Sequence, residues 1–581
     1  MRMMRAPMRL PEKVVGRVLL MLASSSIAAL ASIGVFIVRE GAPLIHKIGL
    51  GRFLSSDWHP TSGHFGIALM VVGSAVVTGG ALVFGLPLGL GCAVVLGEMA
   101  PPRARSILKP LIEILAGIPS VVYGFVGIVV VLPWIRRHLG GPGASGLAAA
   151  AILGVMILPT ITAISLDALR AVPTAYREGS LAMGATRWQT IRRVVLPAAR
   201  SGIVAAVILA IGRAVGETMA VVMVAGNAVL LPRSPLDPVR TLTANLALEM
   251  GYATGDHRAA LFATAIVLFV IIVALNALAG LARGRRRRRR ARGALGGWPR
   301  LRPLTPARAQ ALAFAVLWSF MAGTLAILVL ILAFVLGHGL PHVTPTFLLA
   351  NPLASGRAGG VLPIVAGTLQ VTLLGVAVAT PLGVGTAIYL VEYTRGGRLT
   401  RLIRFGAECL AGVPSIIFGL FGFVLFVLTL GLGWSILAGG LTLAFMTLPL
   451  LIRTSEEALR AVPAAYREVS LSLGASKWQT VRKIVVPAAL PGIATGLILG
   501  VGRAIGETAA LIFTAGSSLP RHVPRSLFDG TRTLSVHFYQ LAREGISIER
   551  AYAAAAVLVL AISAINLAST LAMERLSRRA A

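Results

Sequence analysis

Long stretches without any formal charge constrain this chain more than any other feature of its sequence. No Asp, Glu, Lys or Arg lies between His64 and Glu98, or between Arg357 and Glu392. Each stretch exceeds the roughly 20 residues with which a helix crosses the hydrocarbon core of a bilayer. Only 13% of the 581 residues are charged, whereas about a quarter are charged in soluble domains. These features predict an all-α, polytopic membrane protein.

Apolar runs predict about twelve transmembrane helices. They lie near 18–38, 67–97, 107–134, 147–167, 202–228 and 259–282, and near 311–336, 362–391, 402–430, 433–452, 491–515 and 551–573. If both termini are placed in the cytoplasm, most of the 54 Lys and Arg residues fall on the cytoplasmic side, as the positive-inside rule requires. The first run is interpreted as an uncleaved span, because no small-residue cleavage site follows it.

The two halves of the chain repeat each other. EILAGIPSVVYG at 113–124 returns as ECLAGVPSIIFG at 408–419, and GRAVGET at 212–218 returns as GRAIGET at 502–508. Each half has six predicted spans, an even number, so the copies share one orientation and a pseudo-two-fold axis along the membrane normal is expected. We therefore divide the chain into a first repeat at 1–282, an arginine-rich cytoplasmic linker at 283–308 and a second repeat at 309–581.

The formal net charge of +33 raises the alternative of nucleic-acid binding. The cytoplasmic position of the basic loops explains most of this charge, so we expect the chain to contact membrane lipid and to bind no nucleic acid. The run RGRRRRRRARG at 283–293 is interpreted as a flexible connector that contacts anionic lipid, with a nucleic-acid or regulatory role as the alternative. The nine His residues show no convincing ligand spacing, so no metal site is predicted.

Between spans four and five, each half carries a polar loop with the same order of residues. ALRAVPTAYREGSLAMGATRWQTIRRVVLPAA occupies 168–199, and ALRAVPAAYREVSLSLGASKWQTVRKIVVPAA occupies 458–489. Proline favours a helix start just after it, and glycine favours a helix end. A short helix that is fixed at both ends can dock in a partner's groove and transmit motion to the flanking spans. Such helices are predicted between Pro173 and Gly184 and between Pro463 and Gly474.

These loops resemble the EAA loop of permeases in binding-protein-dependent ABC importers, although Gly-Ser and Val-Ser replace Ala-Ala. The resemblance implies that they seat two copies of a separate ABC ATPase, which holds ATP and Mg²⁺. The chain has no Gly-Lys dipeptide and hence no Walker A loop. We therefore predict that it is not an enzyme and that it binds no cofactor. The alternative is a pair of loops without a partner. The matching residues are Glu178, Gly184 and Pro197 in the first copy and Glu468, Gly474 and Pro487 in the second.

Each fifth span contains an arginine and a glutamate. Arg213 and Glu217, like Arg503 and Glu507, are four residues apart, and each pair is predicted to share one helical face. Charged residues in the bilayer usually face a polar interior, so the four are predicted to line one cavity. Two guanidinium groups from opposite sides match an oxyanion through paired hydrogen bonds. The alternative is two ion pairs that only stabilise the spans.

The third spans supply two further candidates. Ser120 and Ser415 follow the helix-disrupting Pro119 and Pro414, and their hydroxyl groups are candidates for the same pathway. Hydrogen bonding between helices is the alternative role of these serines.

The doubled GRAxGET and AGxPSxxxG motifs resemble the phosphate-specific ABC importer, whose permease is usually two proteins. The first half resembles its C-type permease in GRAVGETMAV, and the second its A-type permease in GRAIGETAALIFTAG. The resemblance implies a type I-like permease in a bacterial inner membrane that moves inorganic phosphate inward from an extracytoplasmic phosphate-binding protein. It also implies that Arg213, Glu217, Arg503 and Glu507 are critical for transport. An ABC importer for sulfate or molybdate, a twelve-span secondary transporter and a passive anion channel remain open alternatives.

Overall fold

The computed structural model describes residues 12–284, 305–394 and 396–580. Within these ranges, eleven helices are long and apolar enough to cross a membrane, and a bent helix pair brings the number to twelve if it counts as one span. The predicted all-α, polytopic fold is therefore confirmed. The arginines at 285–290 lie outside the described residues, so the linker at 283–308 stays a prediction.

The first repeat consists of helices joined by short turns. An antiparallel pair of strands, β1 (Trp58–His59) and β2 (His64–Phe65), lies between the second and third helices. π-helical turns at Val95–Met99, Gly127–Val131 and Ile191–Val195 extend or join helices into longer spans. The helices are α1 (Glu12–Ile48), α2 (Leu50–Phe53), α3 (Ala68–Val94), α4 (Pro102–Gly117), α5 (Ser120–Val126), α6 (Leu132–His138), α7 (Gly146–Arg170), α8 (Thr174–Ala182), α9 (Arg187–Thr190), α10 (Leu196–Gly216), α11 (Met219–Val224), α12 (Leu242–Glu249) and α13 (Gly255–Gly284).

The second repeat has a similar order of elements, but among its described residues no separate helix corresponds to α6. Its strands β3 (Pro352–Leu353) and β4 (Ala358–Gly359) pair antiparallel, and π-helical turns lie at Tyr389–Tyr393, Phe423–Thr429 and Val481–Val485. The helices are α14 (Pro306–Gly339), α15 (Pro345–Leu349), α16 (Leu362–Ile388), α17 (Arg398–Gly412), α18 (Ser415–Gly422), α19 (Ile436–Ala461), α20 (Ala464–Ser472), α21 (Lys477–Thr480), α22 (Val486–Ile505), α23 (Ala509–Thr514), α24 (Leu534–Arg543) and α25 (Ile548–Ala580).

The first helices of the two repeats cross over. Within each repeat, the second span packs along the fourth, α3 against α7 and α16 against α19, but α1 also packs against α16 and α17, and α14 packs against α3. Thr386 donates a hydrogen bond to the carbonyl oxygen of Leu22 at 2.9 Å, and the Cys92 sulfur contacts the Thr324 hydroxyl at 3.3 Å. Each repeat therefore completes its packing with the first helix of the other.

The third span is interrupted in both repeats, at the prolines that the sequence marks as helix-disrupting, and in the first repeat the membrane-crossing helix Ser120–His138 begins later than the predicted 107–134. α4 and α5 are separated by Ile118 and Pro119, which are extended (φ −66°, ψ 129° and φ −59°, ψ 143°). In the second repeat, α17 meets the helix Ser415–Thr429 at 101°. Proline lacks an N–H group and disfavours a helical conformation in the residue before it, which explains the break.

The fifth spans, predicted as continuous helices at 202–228 and 491–515, are interrupted as well. α10 ends at Gly216, the next residue is extended (φ −71°, ψ 132°), and α11 begins two residues later. The same break separates α22 from α23. The span also starts earlier than predicted, because a continuous helix runs from Arg187 to Gly216.

Gly339 lies where α14 crosses α25, and substitution of this residue can test how tightly the two helices pack. A Cβ atom at this position would lie 2.6 Å from the Cβ atom of Ala556. Gly339→Ala should therefore push the helices apart and lower the free energy of unfolding by about 1–3 kcal/mol, seen as a lower midpoint of thermal unfolding in detergent. Gly323→Ala, in the same helix, meets no atom within 4 Å and serves as the matched control. An equal loss in both variants would contradict this close crossing.

Candidate functional site

The breaks in the third and fifth spans meet at the interface between the repeats. Gly216, at the end of α10, lies against Pro414 of the second repeat, where an added Cβ atom would be 3.2 Å from the proline ring. Gly506, just after α22, lies against Pro119 of the first repeat in the same way, at 3.3 Å. Each interrupted fifth span thus packs on the interrupted third span of the other repeat.

Arg213 and Arg503 lie near these breaks, close to the ends of α10 and α22. Their guanidinium groups are near enough to repel each other, although they belong to different repeats. Both residues are exposed. We infer from this proximity and exposure that both arginines face one space shared by the repeats, which we call the chamber. That the arginines line a cavity for the cargo, and their role in it, stay predictions.

The two arginines differ in how they are held. Nη1 of Arg213 donates a hydrogen bond to Oγ1 of Thr160 on α7 at 2.9 Å. The equivalent position of the second repeat is Leu450, whose side chain offers no acceptor. Within the described ranges, no hydrogen bond joins the Arg503 guanidinium to another group. The two guanidinium groups therefore differ in this contact, because Thr160 has no equivalent in the second repeat.

Glu217 does not share a helical face with Arg213, so that prediction is wrong. It lies beyond the end of α10, and its carboxylate accepts a hydrogen bond from the backbone N–H of Ala220 at 3.4 Å. Its carbonyl oxygen accepts a hydrogen bond from Oγ1 of Thr243 at 2.8 Å. The glutamate thus caps α11, where the helix dipole favours a negative charge, and the hydroxyl group stabilises the break from the other side.

The second repeat shows a related arrangement, in which the carboxylate binds the next residue rather than one three positions on. The Glu507 carboxylate accepts a hydrogen bond from the backbone N–H of Thr508 at 3.2 Å. The predicted serines, which are the first residues of α5 and α18, lie beside these carboxylates: Ser120 interacts with Glu217, and Ser415 interacts with Glu507. The structure therefore brings each predicted serine to the predicted glutamate of its own repeat.

Beyond the breaks, α5, α11, α18 and α23 form a dense layer. All residues of Met219–Val224 are buried, as are those of α18 after Ser415. The Phe125 ring contacts the rings of Phe538 and Tyr552, with centroids 5.3 and 4.9 Å apart. Along each fifth span, the arginine precedes this layer and follows the loop helix, in the order α8, α10, α11 and α20, α22, α23.

The polar loops between spans four and five have the predicted helices. α8 begins after Pro173 and α20 after Pro463. Gly184 and Gly474 follow these helices in left-handed conformations, with φ of 79° and 80°, which a glycine adopts without the strain of a side chain. Both loop helices therefore have defined ends.

The loop helices present charged and apolar side chains to solvent. Glu178 and Glu468 are exposed. Pro197 and Pro487 each follow a π-helical turn and lie inside the continuous helix that enters the fifth span. The exposed apolar side chains near α8 and α20 are Tyr176, Leu181, Met183, Tyr466, Val469, Leu471 and Leu473.

Sequence reasoning missed a set of ion pairs that hold these loop helices. Arg177 on α8 binds Glu98, in the π turn after α3, with 2.6 Å between Nη2 and Oε1. Arg467 on α20 binds Glu392 with 2.8 Å between the same atoms. The hydrogen bonds to Glu98 raise the pKa of the Arg177 guanidinium. The one signal in the sequence is repetition, since both partners recur in the second copy.

Known proteins resemble this chain in both repeats. The family described as binding-protein-dependent transport system inner membrane component matches residues 85–288 and 379–581. The probable ABC transporter permease protein YqgH of Bacillus subtilis is 43% identical over 42% of this chain and 82% of its own length. The phosphate transport system permease protein PstC of Mesorhizobium japonicum is 37% identical over 39% of this chain and 76% of its own length. PstA 1 of Mycobacterium tuberculosis, also a phosphate transport system permease protein, is 37% identical over 48% and 93%.

Each of these relatives aligns over most of its own length but less than half of this chain. The two separate family matches have the same order as the two repeats. The family describes the membrane component of a transport system, which confirms the prediction that this chain is not the ATPase. The chain therefore belongs to the binding-protein-dependent transport system inner membrane components, and it carries two domains of that family in tandem.

Proposed function

We propose that this chain is the permease of an ABC importer that moves inorganic phosphate inward. The observation that carries the proposal is the proximity of Arg213 and Arg503, which come from different repeats and are both exposed; we infer that they line one chamber. Guanidinium groups bind tetrahedral oxyanions through paired, charge-assisted hydrogen bonds. Similarity to the phosphate transport permeases PstC and PstA 1 supports phosphate over other oxyanions.

The chamber combines attraction for an anion with restraint. The helices Ser120–His138 and Ser415–Thr429 begin at the breaks, so the positive ends of their dipoles add to the charge of the arginines. Glu217 and Glu507 limit this positive charge and, as hydrogen-bond acceptors, favour an oxyanion that retains a proton. Phosphate retains a proton near neutral pH, whereas sulfate does not. The glutamates would therefore make binding weak and selective for phosphate.

α8 and α20 are proposed as the docking helices for two copies of a separate ABC ATPase that binds ATP and Mg²⁺. Exposed apolar side chains such as Met183 and Leu473 would fill grooves on these partners. The basic residues around both loops support a cytoplasmic position for these loops and for both chain termini by the positive-inside rule, and the resemblance supports a bacterial inner membrane. This orientation leaves the buried layer facing the extracytoplasmic side of the inner membrane.

The transport cycle then follows from the two ends of the chamber. Closure of the ATPase pair would move the loop helices and open the buried layer, so that an extracytoplasmic phosphate-binding protein delivers its ion between Arg213 and Arg503. Hydrolysis of ATP would restore the chamber that is open toward the loop helices, and phosphate would leave to the cytoplasm. The permease contributes binding and motion, and the partner contributes the chemistry.

Removal of the arginines should strongly lower uptake. Charge-assisted hydrogen bonds contribute about 1.5–3 kcal/mol each, so Arg503→Ala should lower phosphate uptake about 10- to 100-fold, and the double variant with Arg213→Ala should lower it further. The measurement is uptake of radiolabelled phosphate into proteoliposomes that contain the ATPase and the binding protein. Basal ATP hydrolysis serves as the control for folding and assembly. Wild-type uptake by the double variant would refute the site.

Competition separates phosphate from the alternative cargoes. Excess phosphate should suppress uptake of the labelled ion, whereas equal sulfate should not, and the variant Glu217→Gln/Glu507→Gln should lose part of this discrimination because an amide can donate a hydrogen bond to sulfate. Suppression by sulfate alone would favour a sulfate importer. Uptake without any ATPase would favour a secondary transporter, and ion conduction without nucleotide would favour a channel.

Solvent access to the chamber can be measured directly. Cys92 and Cys409 are buried, so a cysteine introduced at Arg503 should be the reactive thiol toward a charged, membrane-impermeant reagent. Arg503→Cys should react when the reagent is on the side of α8 and α20, and slowly from the other side. Leu420→Cys, at a fully buried position of α18, is the matched control and should stay unmodified. Equal labelling of both positions would contradict a chamber sealed by this layer.

A further inference from the structure

Hydrophobic packing does little to fix the loop helices. α8 contains no buried residue, and the buried residue of α20 is the small polar Ser470. The proposed function nevertheless requires both helices to transmit force from the ATPases to the membrane spans. Polar contacts must therefore provide the attachment, and an arginine on each helix makes most of them.

Arg177 joins α8 to two membrane spans. Its Nε and Nη2 atoms donate to the Glu98 carboxylate at 3.0 and 2.6 Å. Nη1 and Nη2 also donate to the carbonyl oxygens of Val172 and Leu169 at 2.7 and 2.9 Å. Leu169 belongs to α7, and Glu98 lies in the π turn that ends the second span. One side chain therefore connects the loop helix with spans two and four.

Arg467 makes the same connection in the second repeat. Its Nε and Nη2 atoms donate to Glu392 at 2.9 and 2.8 Å, and its Nη1 and Nη2 atoms donate to the carbonyl oxygens of Val462 and Leu459 at 2.7 and 2.8 Å. The Glu98 and Glu392 side chains are only 8% and 9% exposed. These ion pairs are therefore shielded from the water and salt that weaken surface pairs.

A π-helical turn orients each glutamate. The second spans end in the π turns Val95–Met99 and Tyr389–Tyr393. A π turn adds one residue to a helical turn and so rotates the following side chains by about 100° relative to an uninterrupted α-helix. Because the glutamates lie within these turns, their direction toward α8 and α20 depends on a local feature that both repeats share.

We propose that Arg177–Glu98 and Arg467–Glu392 are clamps that make each loop helix move as one body with spans two and four. The inference rests on the proposed function, and it assigns positioning residues that touch neither cargo nor ATP. The motion also reaches the other repeat, because α3 packs against α14 and α16 packs against α1. Without the clamps, ATP hydrolysis continues but no longer drives transport.

The test measures ATP hydrolysis and phosphate uptake in the same proteoliposomes, which contain the full chain, the ATPase and the binding protein. Arg177→Ala and Arg467→Ala should largely preserve hydrolysis but lower uptake. The ratio of ATP hydrolysed to phosphate transported should rise about tenfold in each single variant and further in the double variant. Loss of one contact that couples two sites typically changes the equilibria linked through it by about this factor. A role confined to folding would lower both activities together and leave the ratio unchanged.

Matched variants keep the proposal open to refutation. Glu98→Gln preserves the shape of the side chain and should give a smaller rise of the ratio, even where Arg177→Ala folds poorly. Lys109→Ala removes an exposed ion pair with Glu113, whose partners are 48% and 61% exposed, and should leave the ratio unchanged. An unchanged ratio in a folded clamp variant would overturn the proposal. If the wild-type protein transports sulfate instead, the cargo assignment alone fails, and the ratio is measured with sulfate.

Discussion

The architecture depends on how a lipid-embedded chain satisfies its own peptide groups. No water in the hydrocarbon core can pair with a free N–H or C=O group, so a broken helix is tolerated only inside the protein. The breaks at Pro119, Pro414, Glu217 and Glu507 lie together at the repeat interface. There, carboxylate groups pair with backbone N–H groups, and hydroxyl groups pair with backbone carbonyl oxygens. A polar centre in an apolar bundle follows from this constraint.

The interface lies between two similar repeats, but the residues that the repeats contribute to it are not identical. The crossed first helices bring the interrupted spans of one repeat onto those of the other. The proposed chamber would therefore consist of equivalent parts of both copies. Thr160 tethers Arg213, whereas Leu450 leaves Arg503 without that hydrogen bond. The two guanidinium groups therefore have different hydrogen-bonding surroundings.

Much of the fold was predictable because its signals are local. Charge-free runs, the proline and glycine at the ends of α8, and the repeated motifs each depend on neighbouring residues. The break after Pro119 also had a local cause, which the span boundaries ignored. The break at Glu217 had none: GRAVGET contains no proline, and Arg213 and Glu217 have helical spacing. Thr243, from a later segment, captures the carbonyl oxygen of Glu217 and stabilises an interruption that no local rule predicts.

The sequence by itself determined that the chain crosses the membrane many times in two similar halves, each with a charged motif and a polar loop. The length of apolar runs, their helical period and the repetition of motifs can all be read directly from the order of residues. Only the tertiary structure decided that Arg213 approaches Arg503 and that Arg177 reaches Glu98. These partners are far apart in the chain, so their meeting depends on the combined packing of many helices and on the crossing of α1 and α14 between the repeats.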